Sequence, residues 1–362
     1  MRADPQGVVE LGEAIGREAD VDRLWALLRE RNVIVSGRLG MGKTTLARLA
    51  LERAPEGWDG QRVALGELRS GPEACAAVVE ALVNDEQVRP EQLGGEPPEA
   101  LRLVIDAALE RSEAGLVLIL DDFDRYLANT AKLRAAGFAE FTSTLARACA
   151  EQPQLRVVLI SNTHLERTVA RLRPEPLLGL IEGCARVELD TLSAESGARL
   201  VMALLLGESI TARDRAAFAR SLADNCDNVP RWIHCAMEYF VGRRKPIVDG
   251  DLERCLIDAV AELERPPWAL RRELAPVLDD YSQPQRGLAL SVLDQLALAE
   301  EQALSFAELR RSLAVELTID DDAIERVLAE LRGDQLIRES GGGLRFYGDL
   351  LRNAWLKLRY LS

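Results

Sequence analysis

Residues 32–51 constrain this chain more than any other segment, because a β-branched run there feeds a glycine-rich turn and then a helical pattern. Asn32, Val33, Ile34, Val35 and Ser36 read as a buried parallel strand. They lead directly into Gly37-Arg38-Leu39-Gly40-Met41-Gly42-Lys43-Thr44-Thr45, followed by Leu46-Ala47-Arg48-Leu49-Ala50-Leu51. This is G-x-x-x-x-G-K-[ST] in the strand–loop–helix setting that gives the pattern its chemistry. Glycines let the backbone wrap closely enough for its N–H groups to face phosphate oxygens, and the following helix adds the positive end of its dipole. Lys43 is placed to reach the outer phosphates, and the Thr44 hydroxyl to join the shell of a magnesium ion. Residues 37–45 are therefore the expected phosphate-binding segment.

A second run supplies acids. Leu116, Val117, Leu118, Ile119 and Leu120 are consecutive and apolar, the mark of a strand buried on both faces, and they end in Asp121-Asp122-Phe123-Asp124. Carboxylates at the C-terminal end of a parallel strand lie where open α/β sheets bind ligands. Asp121 is expected to hold magnesium, through water because that ion dehydrates reluctantly. Asp122 is expected to orient or deprotonate an attacking water. Aspartate has a shorter reach than glutamate, which fits slow turnover. A third apolar strand, Leu155-Arg156-Val157-Val158-Leu159-Ile160, ends in Ser161-Asn162-Thr163.

Bulk properties narrow the alternatives. A chain of 362 residues exceeds one typical core. A net charge of −14 disfavours non-specific nucleic-acid binding as the main activity, since backbone binders carry a basic footprint. No run of eighteen apolar residues or apolar leader core is present, so the expectation is a cytoplasmic protein without a membrane span. The six cysteines (Cys75, Cys149, Cys184, Cys226, Cys235 and Cys255) form no C-x-x-C pair and, with two histidines, suggest no zinc cluster; they read as reduced thiols.

With these pieces in order, the chain resembles the STAND-type and AAA+-related P-loop ATPases, the group that includes NACHT, NB-ARC and archaeal-type regulatory ATPases. The resemblance covers roughly residues 10–265. It implies an α/β P-loop NTPase core with a parallel sheet of the additional-strand type, ATP and Mg²⁺ as ligands, and ATPase activity. Upstream, Ile15-Gly16-Arg17-Glu18 looks like the group's entry motif, which lines the adenine pocket. Asn162 falls where these ATPases place a polar sensor beside the γ-phosphate, with Thr163 as second choice; NB-ARC proteins favour arginine there. Thr191-Leu192-Ser193-Ala194-Glu195 looks like the start of the family's helical lid. Pro230 and Arg231, at the start of a later helix, match residues that contact the base or a phosphate. Arg171, Arg173 and Arg186 precede or enter a fifth strand, where related proteins present an arginine finger to a neighbouring subunit.

The pattern breaks around Glu264-Arg265-Pro266-Pro267. Beyond it, apolar spacings predict helices over 285–300, 305–314 (opened by a Ser305/Glu308 capping box) and 320–332, then strands over 336–340 and 344–347 and a last helix. Three helices and a hairpin describe a winged helix, which also resembles the module following the lid in these ATPases. The expected division is 1–192 for the core, 193–265 for the lid and 266–362 for the winged helix. Its third helix carries Asp320, Asp321, Asp322, Glu325 and Glu330, a poor face for DNA, although Arg338, Arg345, Arg352, Lys357 and Arg359 offer an alternative basic surface.

The leading expectation is a regulatory switch that couples ATP·Mg binding at the core–lid cleft to homo-oligomerisation and to a protein partner supplying sensor or effector. The alternative is a DNA-acting AAA+ ATPase of the transposition or helicase-loader kind. An inactive nucleotide-binding scaffold is the third reading, set against intact Lys43, Thr44, Asp121 and Asp122.

Overall fold

A computed structural model describes the chain except for residues 6–8, 84–94, 134–136, 163–164, 166–168, 170–174, 244, 249, 276, 279–280, 300–302, 315–319 and 362. The chain divides into two compact units. The first comprises Arg17–Ser36 and Lys43–Leu189, the second Met1–Gly16, Gly37–Gly42 and Asp190–Ser362.

In the first unit the elements run α1 (Glu18–Leu28), β1 (Val33–Ser36), α2 (Lys43–Glu52), β2 (Trp58–Ala64), α3 (Gly71–Leu82), α4 (Pro97–Arg111), β3 (Gly115–Asp121), α5 (Phe123–Leu133), α6 (Phe138–Glu151), β4 (Leu155–Ser161), α7 (Glu175–Glu182) and β5 (Ala185–Glu188). The strands form one parallel sheet in the order β2-β3-β4-β1-β5. All seven β3 residues are buried, so both of its faces must be covered. Leu116, Leu118 and Leu120 join a cluster with Val78, Ile105, Phe141 and Leu145 from α3, α4 and α6. The opposite face, which carries Val117, is covered by α2. Gly60 on β2 pairs with Val117, and a Cβ at Gly60 would collide with Leu51 of that helix. α1 is tied to α2 by the Trp25 indole N–H, which donates to the Ala50 carbonyl at 2.9 Å.

β2 has no counterpart among the strands read from sequence. Its residues run Trp58-Asp59-Gly60-Gln61-Arg62-Val63-Ala64, and only Val63 is buried. A sheet-edge strand of this kind is held by its ladder to β3 and by Trp58, whose ring lies edge-on to Trp25 with centroids 5.7 Å apart.

The second unit continues with α8 (Ala194–Gly207), α9 (Arg215–Asn225), α10 (Pro230–Phe240), α11 (Asp251–Ala261), α12 (Arg271–Ala275), α13 (Gln283–Leu298), α14 (Phe306–Leu313), α15 (Asp321–Gly333), β6 (Ile337–Ser340), β7 (Gly343–Phe346) and α16 (Asp349–Tyr360). Local chemistry sets several starts. The Ser193 and Asp320 side chains accept N–H groups at the heads of α8 and α15, and Ser305 with Glu308 forms the expected capping box of α14. Leu288, Val292, Leu293 and Leu296 of α13 are buried with Ile324, Val327, Leu328 and Leu331 of α15. β6 and β7 pair antiparallel around Gly341 and Gly342. Three helices followed by a hairpin thus occupy the expected order, with boundaries moved by one or two residues. Among the described residues no helix is long and apolar enough to cross a membrane. All six cysteines are free, and burial pushes the Cys149, Cys235 and Cys255 thiols up to about 12.

Because β3 is packed on both sides, Leu118→Ala should lower stability by about 2–5 kcal/mol. Leu103→Ala, at an exposed site on α4, should change it by no more than about 0.5 kcal/mol. Thermal unfolding of the two variants beside the parent chain checks the contrast.

Candidate functional site

In the first unit the candidate residues gather at the C-terminal ends of β3 and β4 and the first turn of α2. Parallel pairing brings the ends of neighbouring strands level, with Ala64 opposite Asp121 and Ser36 opposite Ser161. Lys43 and Thr44 open α2. The Thr44 hydroxyl donates to Asp121 Oδ2 at 2.8 Å. Asp121, 1% exposed, also receives the Asp122 N–H on Oδ1 at 3.0 Å. Thr44 and Asp121 therefore present hard oxygen donors side by side, the donor type that magnesium takes.

Asp122 adopts the left-handed region, φ 55, directly after the strand. Its Oδ1 lies 3.4 Å from Asn162 Nδ2, so the water-orienting candidate and the sensor candidate are neighbours. Thr163, the second choice for that sensor, lies outside the described residues. Sequence reasoning quoted Asp124 without giving it a role, yet this side chain joins the two strand ends. Its Oδ2 accepts the Asn162 N–H at 3.0 Å, and Oδ1 lies 3.4 Å from Asn162 Nδ2. Burial raises the Asp124 pKa, while the Asn162 N–H and the Lys43 ammonium pull it down. The second residue that sequence reasoning missed is Arg62 on β2. It donates to Asp121 Oδ2 through Nε at 2.8 Å and Nη2 at 2.7 Å. No signal could have found it, since it lies in a strand with no periodicity to announce it.

Arg17, expected near the base, is buried and pairs with Asp20 at 2.9 Å. Arg186 is exposed on the edge strand β5. Arg171 and Arg173 lie outside the described residues.

In the second unit, loop 37–42 is gripped by residues far away in sequence. Met41 is fully buried. Gly40 has φ 82, and a Cβ there would collide with Cβ of Arg231, so this position excludes side chains twice over. The Arg231 N–H, one of the unpaired donors at the head of α10, donates to the Gly40 carbonyl at 3.2 Å. Pro230 takes the first position of that helix. The Arg231 guanidinium points elsewhere, to Glu273 Oε1 at 2.8 Å and to the carbonyls of Pro267 and Trp268.

Arg38 is held most completely. Its N–H donates to Gln335 Oε1 at 2.8 Å and its Nη1 to the Gln335 carbonyl at 3.1 Å. Its Nε lies 3.4 Å from Glu273 Oε2. Its guanidinium stacks over Trp232 (4.6 Å) and Tyr347 (5.0 Å), and the Tyr347 hydroxyl bonds to Asp190. Burial lowers the Arg38 pKa, and the Glu273 carboxylate opposes that shift. Leu39 is exposed. Ile15 is half-buried, and a Cβ on Gly16 would come within 2.6 Å of Ser196 at the head of α8.

The sequence model of the family described as Novel STAND NTPase 1 (nSTAND1) matches residues 14–361. The chain belongs to this family. It is thus a P-loop ATPase of the STAND and AAA+-related class, as its own glycine loop and paired aspartates had indicated. Among curated proteins none matches this member. Solved structures share its fold. The Walker-type ATPase Paby2304 of Pyrococcus abyssi is 16% identical with a TM-score of 0.67, over 98% of this chain and 99% of that one. The Aeropyrum pernix ORC2 protein (ADPNP–ADP complexes) is 15% identical with a TM-score of 0.58, over 96% and 97%. The Aeropyrum pernix ORC1 protein in complex with DNA is 17% identical with a TM-score of 0.51, over 99% and 97%.

Near the Arg38 cluster, burial and the neighbouring Asp349 raise the Asp227 carboxyl to about 6, against the pull of Arg38 and Arg338. The folded pKa exceeds the unfolded value, so the ionised form costs stability above pH 6 and the cost disappears as both states protonate near pH 4. Asp227→Asn, which tolerates the same left-handed backbone (φ 50), should therefore stabilise the protein at pH 8 by roughly 1–3 kcal/mol. The gain should shrink as pH falls through 6. Melting curves of both proteins from pH 5 to 8 measure the gap.

Proposed function

We propose that this ATPase is a regulatory switch in which nucleotide state decides whether the C-terminal segment grips the phosphate loop. The observation that carries the reading is Arg38. A residue inside the phosphate-binding motif spends its backbone N–H and its whole side chain on α10, α12, the end of α15 and the residue after β7. A hydrolase whose loop serves catalysis alone has no need of so distant an anchor. A switch that reports the state of its loop does.

In this reading the backbone of 37–42, the Lys43 ammonium and the Thr45 end of the motif hold the ATP phosphates. Thr44 and Asp121 would hold Mg²⁺, whose chemistry is to offset charge on the β- and γ-phosphate oxygens. Asp122 turns the attacking water toward the γ-phosphate and takes its proton, and Asn162 fixes the Asp122 carboxylate while facing the same phosphate. Ile15, Gly16, Arg17 and Pro230 are the candidate wall around the adenine. Description of the similar ORC2 structure with ADP and ADPNP supports adenine nucleotides as the ligand class. Once ATP reorganises loop 37–42, the grip on Arg38 loosens, and freed surfaces serve a second copy of the chain and a partner protein. Arg186 is the described candidate for an arginine acting across that contact, beside Arg171 and Arg173.

The similar ORC1 structure with DNA favours a second reading, in which the C-terminal helices and hairpin, read as a winged helix, contact DNA. Against it, four of the five residues of the candidate basic surface are engaged within the protein. Arg345 pairs with Asp349 and Arg359 with Asp294, while Arg352 and Lys357 donate to the Ala297 and Leu361 carbonyls. Those four side chains are less available to phosphates.

Asp122→Asn should bind ATP without turning it over and shift from monomer to a larger species by light scattering with ATP·Mg²⁺ but not ADP. Lys43→Ala should lose nucleotide binding by two orders of magnitude or more, roughly 3 kcal/mol. Glu273→Gln, which leaves the buried Arg38 and the partly buried Arg231 guanidiniums without their carboxylate, should assemble at lower ATP. A monomer under every condition overturns the switch, and ATP-strengthened, salt-sensitive binding of a duplex oligonucleotide would install the second reading instead.

A further inference from the structure

Asp121 combines two demands. It is a charged carboxylate at the end of a fully buried strand, and the proposed site needs it ionised. Ionised carboxylates at such positions need a compensating charge and hydrogen bonds. Arg62 provides both from the neighbouring strand. Ala64 lies opposite Asp121, and Arg62, two residues earlier, projects from the same face of the sheet. Its long side chain runs toward the C-terminal end of the ladder and places Nε and Nη2 on Oδ2, which also receives the Thr44 hydroxyl. Three donors therefore converge on one oxygen, while Oδ1 is taken by the Asp122 N–H.

We propose that Arg62 is a positioning residue that sets the divalent-ion affinity of the nucleotide complex by competing with the cation for Asp121. This inference rests on the assignment of Asp121 to the magnesium site. A carboxylate already matched by a guanidinium has less charge to offer Mg²⁺, and Oδ2 has no lone pair left that is not shared. Before the metal arrives Arg62 thus keeps Asp121 oriented toward Thr44, and it weakens the carboxylate's hold on the metal. It is 28% exposed, so the guanidinium can lean toward solvent when a cation draws on the same oxygen. Removing it leaves the buried carboxylate uncompensated until Mg²⁺ arrives, which tightens Mg²⁺ binding by linkage.

The test is an Mg²⁺ titration of the full chain with ADP, starting from EDTA-treated protein and read by ADP binding calorimetry and by the rise in melting temperature. For Arg62→Ala the half-saturating Mg²⁺ should fall about tenfold, less than a fully desolvated unit charge would produce because solvent screens the partly exposed guanidinium. Mg²⁺ should also raise its melting temperature more than that of the parent. Arg62→Lys, which keeps the charge but loses the fork, should lie between them. In the Asp121→Asn background, Arg62→Ala should have no further effect, because Arg62 acts only through that carboxylate. An unchanged or raised half-saturation in Arg62→Ala, while Asp121→Asn weakens Mg²⁺ dependence, overturns the inference and leaves the site reading standing. If Asp121→Asn does not alter Mg²⁺ dependence, both fall together.

Discussion

The Asp121 carboxylate is the charge around which the first unit is organised. The strand that carries it is apolar and buried along its length, so the hydrophobic effect fixes where the strand goes, and electrostatics must then make its last residue tolerable. Every neighbour contributes. The ladder to β2 brings Arg62, the head of α2 brings Thr44, and the following turn folds back so that the Asp122 N–H reaches Oδ1. A single acid therefore links two strands, one helix start and a turn. The polar groups near it, Asn162 and Asp124, extend the arrangement to the end of β4.

The second unit solves the opposite problem, a buried cation, with the same pairing. Arg38 and Arg231 share the Glu273 carboxylate, so one acid serves two guanidiniums, and the remaining positive charge is spread over two aromatic faces and a set of carbonyls. Pairs of this kind contribute little net stability, because desolvation offsets the attraction. Their value lies in specificity: few alternative arrangements satisfy all the partners at once. The loop residues 37–42 are thus anchored by Gln335 and Glu273, which lie hundreds of residues away along the chain.

The parts legible in the sequence were those in which local pattern and tertiary role agree. The runs at 32–36 and 116–120 are strands because they are short, rich in β-branched residues or buried on both faces, and end at turn signals, and Leu288, Val292 and Leu296 recur at helical spacing because one face of α13 is buried. β2 was illegible for the same reason inverted. A glycine and three polar residues make sense only once Leu51 packs on Gly60 and Arg62 meets Asp121. The motif announced Arg38 as a loop residue, but nothing in its neighbourhood could name Glu273 or Gln335. Their meeting depends on how helices pack, a property that single-sequence periodicity does not carry. Asp124 lay in plain sight beside the aspartate pair, yet only the folded chain brings it to Asn162.

The backbone at Asp122 limits what evolution can place there. Residues in the left-handed region are drawn mainly from glycine, asparagine and aspartate, so a longer acid would enter under strain. The crowding across the turn adds a second limit: a Cβ on Gly66 would sit 2.8 Å from the Asp122 Cβ, so this space holds that position to glycine. Side-chain length at the head of this turn is in that sense set by the backbone beneath it.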